Sequence, residues 1–374
     1  MPPVPTPLLI SFMLIKSIQW QSVAVPFRRP FRTSSSVVRR RYSLLVWVET
    51  DDGLTGLGEA PASLVSGPAS LRSLERSLES AAPTLLGAPL ASPPTLAPPS
   101  LTFALETAAL DCLAQSQGRP LAALLGGSPR PVEVNAIIGE AAPDETEDLA
   151  LKAVGDGFGT LKLKVGGRDM GLDEEALSRT RKAVGDSVKL RLDANRAWTE
   201  DEATLALGRL SRYSPEFIEE PVTPADIPTL SRVRLDSPMP IAADESVEDA
   251  RAASALVDSA AVDILIVKLA RVGGLTVARA IIERARAAGI EAVITSSLET
   301  GIGLAAAVHL AAAMDLPRAC GLATGPLLTH DLLQTPLAPD EGFLPTPDSP
   351  GLGISPDLDA IQRFALAPRR RVHP

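Results

Sequence analysis

Cysteine and histidine are scarce in this chain. Two cysteines, Cys112 and Cys320, are too few for a disulfide framework, so a reducing, cytoplasmic setting is expected. Both read as small buried residues. The three histidines are His309, His330 and His373, and none closes a strand pattern, which argues against a histidine base. Long apolar runs are missing too. The longest early one, Leu8 to Ile15, is broken by Ser11 and is too short to span a bilayer. Residues Met1 to Pro7 lack the basic start of a secretion signal. Positive charge is in deficit: the net charge is −9, and the only basic clusters are Arg39 to Arg41 and Arg369 to Arg371. Nucleic acid and membrane are therefore not expected partners. Aromatics are 3% of a chain with 34 prolines, a compositional bias that carries no function.

What is present suffices for a large core: 374 residues, 45% hydrophobic and 22% charged. The opening stretch reads as strands. Ile15 to Pro26 alternates, Tyr42 to Glu49 is β-rich, and Asp51-Asp52-Gly53 turns the chain into Leu54 to Glu59. The basic segment Arg28 to Arg41 reads as a loop between the first two strands. Helical patterns follow at Ser70 to Leu86 and Thr102 to Gly118, across a Pro-rich loop from Gly87 to Pro99.

From Val132 the pattern alternates between short β-rich runs and longer amphipathic ones. The strand candidates are Val132–Ile138, Thr160–Val165, Val188–Leu192, Phe217–Glu219, Ile241–Ala243, Asp263–Val267, Glu291–Thr295 and Cys320–Ala323. Helical stretches separate them. Eight such units predict an α/β fold, a (β/α)8-type barrel behind an N-terminal α+β capping domain. A doubly wound open sheet is the alternative. The expected division is a cap over 1–130 (with 1–13 as an extension), a barrel over 131–330, and a Pro- and Gly-rich segment over 331–374 that packs back on the cap.

In a barrel, chemistry sits where strands end. The second strand ends Lys162-Leu163-Lys164, the third Asp193-Ala194-Asn195, the fourth Glu219-Glu220-Pro221 and the fifth Asp244-Glu245-Ser246; the sixth carries Lys268. Positions 193, 219, 244 and 268 are spaced by 26, 25 and 24, one β/α unit each. Three acidic groups thus fall side by side with lysines on either side. Unpaired charge at the ends of apolar strands is costly. A hard divalent cation such as Mg2+ (or Mn2+) relieves the repulsion, since it takes oxygen ligands and keeps positions for substrate oxygens. The ion can also stabilise charge developing on a substrate carboxylate. A lysine next to another cation loses its proton more readily, and Lys162, two residues from Lys164 on one strand face, fits as that cation. Taken singly, each motif has a plainer reading as a solvated lysine, a helix cap or a turn. The joint spacing favours a site. Gly166-Gly167 and Gly273-Gly274 match no phosphate loop and read as tight turns.

The set Lys-x-Lys, Asp-x-Asn, Glu-Glu-Pro, Asp-Glu-Ser and a later Lys resembles the muconate-lactonising subgroup of the enolase superfamily, over about Met13 to Gly353 and including Gly58-Glu59-Ala60 of the cap. The resemblance implies metal ligation by Asp193, Glu219 and Asp244, with Asn195 and Glu245 supporting from behind. It implies Lys164 as the base on one face, Lys268 on the other, and Lys162 tuning Lys164. The segments Ser296 to Gly303 and Cys320 to Leu328, and Val134-Asn135-Ala136, are similar to o-succinylbenzoate synthases, which makes Ser297, Glu299, Gly321 and Thr324 candidate substrate contacts. Dipeptide epimerases of the subgroup carry Asp-x-Asp on the eighth strand; here Gly321-Leu322-Ala323 stands in its place. The implied reaction is dehydration of 2-succinyl-6-hydroxy-2,4-cyclohexadiene-1-carboxylate in menaquinone biosynthesis. The alternatives are an N-acylamino acid racemase or dipeptide epimerase, and a barrel-fold binding protein without activity. The expected partner is a small-molecule carboxylate, and a homo-oligomer is compatible with the sequence. Arg28, Arg29 and Arg39 are candidates for holding the succinyl arm.

Overall fold

The computed structural model describes residues 13–32, 37–90 and 95–373. The N-terminal extension lies outside them apart from Met13. The cap is an antiparallel sheet of β1 (Ile15–Arg32), β2 (Val37–Thr50) and β3 (Thr55–Pro61), backed by α1 (Gly67–Leu85) and α2 (Pro99–Ser116). On α1 the buried residues Leu71, Leu74, Leu78, Ala82 and Leu85 recur at three- and four-residue steps, the stripe of a one-sided helix. Gly56 and Gly58 let α2 lie directly on β3: a Cβ at either would sit 1.9 Å from the carbonyl oxygen of Ala108 or Ala104. The alternate residues Leu57 and Glu59 face the other way, toward the barrel.

The basic stretch expected as a loop is instead paired strand on both of its described sides, 28–32 and 37–41, while residues 33–36 lie outside the described residues. Phe31 pairs with Val38 and Arg32 with Val37 across a register shift after Pro26. The apolar residues between the arginines decide this. Val38 is buried, and the Phe27 and Phe31 rings stack at 5.5 Å, while Arg28, Arg29, Arg39 and Arg40 point to solvent.

After α3 (Leu121–Leu124) come β4 (Val132–Glu133), β5 (Ala136–Ile138), α4 (Pro143–Gly155), β6 (Thr160–Lys164), α5 (Met170–Val184), β7 (Lys189–Asp193), α6 (Glu200–Leu210), β8 (Phe217–Glu219) and α7 (Ile227–Asp236). Then follow β9 (Ile241–Ala243), α8 (Ala250–Asp258), β10 (Ile264–Val267), α9 (Leu269–Val272), α10 (Leu275–Ala287), β11 (Glu291–Ile294) and α11 (Gly301–Met314). Strands β5 to β11 form a parallel sheet in sequence order. Cys320 and Gly321 close it into a ring. Cys320 N donates to Glu133 O at 2.7 Å, and its carbonyl accepts from Asn135 N at 3.0 Å. On the other side Gly321 N donates to Ile294 O at 2.9 Å, and its carbonyl accepts from Ser296 N at 3.0 Å. The fold is therefore a barrel and not an open sheet.

Two strand boundaries differ from expectation. The eighth strand is reduced to Cys320 and Gly321, and only glycine fits at 321, where a Cβ would meet Thr295 Oγ1 at 2.7 Å. Val132 to Ile138 is divided: β4 pairs with β12 (Phe343–Leu344), Val134 bridges to Cys320, and Ala136 to Ile138 pair with β6. Inside the ring Phe217, Ala242, Ile264, Ile266 and Val293 form their own apolar cluster, so the barrel is packed. The C-terminal stretch holds α12 (Leu358–Phe364) and β13 (Arg370–Val372), which pairs with β1 through Ile18↔Val372. Among the described residues no helix is long and apolar enough to cross a membrane.

Candidate functional site

The parallel register sets the mouth of the barrel. Lys164 on β6 stands opposite Asp193 on β7, and Asp193 opposite Glu219 on β8. Glu219 faces Ala242 on β9, so Asp244 lies one alternation further out. Lys268 follows β10. Strands β6 and β10 are four apart in a ring of eight, so Lys164 and Lys268 stand on opposite sides of the mouth. Side chains alternate along a strand, which turns Lys162 and Lys164 to the same side.

The three carboxylates are buried, at 1%, 2% and 3% exposure for Asp193, Glu219 and Asp244. Lys162 Nζ bridges Glu219 and Asp193, lying 2.9 Å from Asp193 Oδ2. Lys164 Nζ is 2.6 Å from the same Oδ2 and also donates to Asn195 Oδ1. Asn195 passes the contact on, its Nδ2 donating to Glu245 Oε1 at 2.8 Å. Across the mouth Lys268 Nζ lies 2.7 Å from Asp244 Oδ2. All five residues expected to carry the chemistry thus meet in one charged network, with Lys162, Asn195 and Glu245 joined to it.

Burial opposes the Lys162 ammonium, but Asp193, Glu219 and Asp244 around it hold it well above the ordinary lysine range. It is a fixed cation beside Lys164. Burial pushes Asp193 upward, and Lys162 and Lys164 overcome this and hold it below the usual carboxylate range. Asp244 is likewise lowered: burial raises it, while Lys268, Arg271 and Lys162 outweigh burial. Glu219 goes the other way. Burial, relieved in part by Lys162 and reinforced by Asp193 and Asp244, pushes it up to about 7. Glu245 is also raised, by burial and by its two acidic neighbours Asp244 and Asp193.

The shifts divide the four carboxylates: Asp193 and Asp244 are held as anions by the cations beside them, while Glu219 and Glu245 are raised, chiefly by burial. Glu245 Oε2 is buried with no hydrogen-bond partner. Among the described residues no three acidic, histidine or cysteine side chains are drawn tightly enough together to hold an ion as they stand, because lysine ammoniums occupy the carboxylate oxygens. The donor chemistry nevertheless fits a hard divalent cation. Three carboxylates sit on successive strands, and a spare buried oxygen of Glu245 lies near Asp193 and Asp244. Asp193, Glu219 and Asp244 are the residues that could hold such an ion.

Two supporting residues were not singled out from sequence. Arg271, one turn after Lys268, donates to Asp244 Oδ1 at 3.1 Å and to its carbonyl at 2.7 Å. Glu220 is wholly buried; its Oε2 accepts from Asp244 N at 2.8 Å and Ser246 N at 3.2 Å, and Arg196 Nε donates to Oε1 at 3.0 Å. Glu220 belongs to the Glu-Glu-Pro run, but nothing in the sequence tells which glutamate faces in. Asn195, Arg196 and Glu220 all have left-handed backbone, with φ of 45°, 65° and 40°. Side chains that adopt this conformation are held by their surroundings.

The expected substrate contacts fall differently. Glu299 and Thr324 are 3% and 2% exposed and bond to Ser296, while Gly321 closes the barrel. Glu299 and Thr324 are tied into the wall of the barrel end, and of the four Ser297 is partly exposed. The Gly273-Gly274 turn has a protein anion where a phosphate would bind: Glu106 of the cap accepts from Leu275 N at 2.5 Å and Thr276 N at 3.1 Å. His309 is buried, its ring taken by Ala122 N and Leu352 O, and burial lowers its pKa to about 4.

The family described as "Enolase C-terminal domain-like" matches residues 145–360. The chain belongs to the enolase superfamily. Within that superfamily it is 33% identical to the L-Ala-D/L-Glu epimerase of Bacillus subtilis, over 91% of this chain and 97% of the relative. It is 37% identical to the o-succinylbenzoate synthase of Thermobifida fusca, over 59% of this chain and 69% of the relative. The structure of the dipeptide epimerase of Enterococcus faecalis, complexed with Mg and the dipeptide L-Leu-L-Tyr, superposes with a TM-score of 0.85 at 30% identity, covering 92% of this chain and all of the other. The superfamily assignment makes the chain a capped barrel and an enzyme. Its superfamily relatives include both epimerases and a lyase.

Proposed function

We propose that this enzyme is an o-succinylbenzoate synthase, dehydrating 2-succinyl-6-hydroxy-2,4-cyclohexadiene-1-carboxylate with Mg2+ held by Asp193, Glu219 and Asp244. The bound ion would stabilise negative charge on the substrate carboxylate. Lys164 takes the proton next to that carboxylate. Lys162, a fixed cation two residues away on the same strand face, bridges Glu219 and Asp193, and Asp193 also holds Lys164. Asn195 orients the Lys164 amine, and Lys268 faces the developing enediolate from the opposite side. The ring then aromatises as hydroxide departs from C6. The proton held by Lys164 returns to that hydroxide, and water leaves.

The observation that carries this reading is the end of the eighth strand. From Cys320 to Leu328 there is no acidic residue. The next one, Asp331, is buried and already accepts from Leu333 N at 3.1 Å and Leu337 N at 2.7 Å. A substrate ammonium has no partner there, which disfavours a free dipeptide. The first test is absorbance-monitored turnover of that substrate with Mg2+, beside Lys164→Ala. Rapid conversion lost on adding EDTA and lost in the variant supports the synthase. No conversion by folded, metal-loaded protein rejects it.

A second reading is a racemase of N-acylated amino acids. The opposed lysines favour it, since one can remove and the other return a proton at the same carbon, and so does the similarity to epimerases. Exchange of the alpha proton in heavy water, lost separately in Lys164→Ala and Lys268→Ala for the two enantiomers, would support it.

A further inference from the structure

A second buried charge cluster lies between cap and barrel, and proton transfer does not use it. Its centre is Glu59 on β3, wholly buried. Its carboxylate accepts from Ser43 Oγ at 2.6 Å within the cap. From the barrel it accepts from Thr300 N at 3.0 Å, Thr300 Oγ1 at 2.6 Å and Gly303 N at 3.0 Å. A cap carboxylate therefore sits on the first turn of α11, directly after the loop that leaves the seventh strand. Four donors leave it little freedom.

Glu299 completes the cluster. A Cβ on Gly303 would lie 2.6 Å from Glu299 Cγ and 3.2 Å from Glu59 Oε2, so both acidic side chains converge over a position where only glycine fits. Glu299 Oε2 accepts from Ser296 Oγ at 2.6 Å and Ser297 N at 2.7 Å. Ser296 Oγ in turn accepts from Thr324 Oγ1 at 3.0 Å, at the end of the eighth strand. Opposite them stands Arg41 of β2, two residues from Ser43 and so on the same strand face. It is 2% exposed, its Nε has no partner, and its charge acts on both glutamates. Two carboxylates and one guanidinium are thus buried together, and a continuous chain of contacts runs from the cap to the ends of strands seven and eight.

We propose that Glu59, with Arg41 beside it, is a positioning residue through which the docked cap sets the Ser296–Thr300 loop and the end of the eighth strand for substrate binding. The proposal rests on the reading that the mouth takes a carboxylate substrate. Among the described residues the hydrogen bonds of Glu59 and Glu299 run to Ser43, to the seventh-strand loop and to α11, and none reaches Lys164, Lys268 or the three carboxylates of the mouth. Loosening the cluster should therefore move the wall that holds the substrate and leave the proton-transfer groups in place.

The test uses the full-length, Mg2+-loaded enzyme and the variants Glu59→Gln, Arg41→Met and Arg41→Lys. For Glu59→Gln and Arg41→Met the expected result is a KM raised about tenfold or more, with kcat within about threefold and Mg2+ affinity by calorimetry unchanged. Arg41→Lys, which keeps the charge, should recover most of the loss. A folded Glu59→Gln enzyme with wild-type KM would overturn the proposal, as would a fall in kcat and Mg2+ affinity at constant KM. If Glu59→Gln does not fold, Thr300→Val removes one bond at nearly constant shape and takes its place. Hydrogen–deuterium exchange over 296–303 provides a readout that needs no substrate. Faster exchange in the variants is expected, and unchanged protection would overturn the latch. If wild-type enzyme turns over no synthase or racemase substrate, the functional reading fails by itself while the exchange result still decides the latch.

Discussion

Strand β8 carries a glutamate at each end of the barrel, and the two behave in opposite ways. Glu216, just before the strand, sits at the base. Burial pushes it up, but Arg191 and Arg318 outweigh that and hold it below the usual carboxylate range. Arg191 donates to it at 2.6 Å and also to Ala319 O at 2.7 Å; Arg318 donates to it at 2.6 Å and continues to Glu291. The Arg191 guanidinium lies 4.7 Å from the Phe217 ring centroid, with that of Arg318 at 5.8 Å. Glu219, three residues on, sits at the mouth and is raised to about 7, with one bridging lysine and two acidic neighbours. A structural ion network matches its carboxylates with guanidiniums. The network at the mouth pairs its carboxylates mainly with lysines, and burial leaves Glu219 raised to about 7 and Glu245 Oε2 without a hydrogen-bond partner.

The sharpest way to break this comparison is to remove a group at the mouth and look for lost stability. Lys164→Ala should lower turnover by about a thousandfold or more, with a melting temperature close to wild type. A large drop in stability and a small one in rate would make the mouth another structural network. At the base the expectation is reversed. Arg191→Met leaves Glu216 without one of its two arginine partners and should cost about 3–5 kcal/mol in chemical denaturation, while turnover per folded molecule stays near wild type.

A smaller effect is expected one contact back. Asn195→Ala removes the acceptor that orients Lys164 and the donor to Glu245, and should reduce kcat/KM by about 10–100-fold with little change in stability. The smallest effect distinguishes the two glutamates by pH. Glu219 has a raised pKa in the folded chain, so between its unfolded value and about 7 the folded state binds more protons than the unfolded one. Metal-free protein should then lose stability as pH rises through this window. Saturating Mg2+ or Glu219→Gln should remove that slope, as read from melting temperatures. A slope of the opposite sign would mean that Glu219 is already compensated as Glu216 is.

The Asp193, Glu219 and Asp244 set was legible because a barrel repeats about every 25 residues, so equal spacing in sequence becomes equal position on neighbouring strands. The opposed lysines were legible for the same reason. Glu220 and Arg271 were not, because adjacency in sequence does not tell which of two glutamates turns inward, or that an arginine one turn beyond a strand bends back. The partners of Glu299 and Thr324 were the least legible: both bond to Ser296, and Glu59 of a distant segment holds the start of α11 beside them.

By itself the sequence determined the strand and helix order, the charged residues ending the second to sixth barrel strands, and the absence of an acid at the eighth. These are local properties: hydrophobic period, turn residues and spacing. Only the tertiary structure decided that the sheet closes at Cys320 and Gly321, that the described parts of the basic stretch pair as strands, and that cap carboxylates seat on the barrel through Glu59 and Glu106. Closure and docking depend on contacts between residues far apart in the chain, where burial and partner geometry outweigh any local preference.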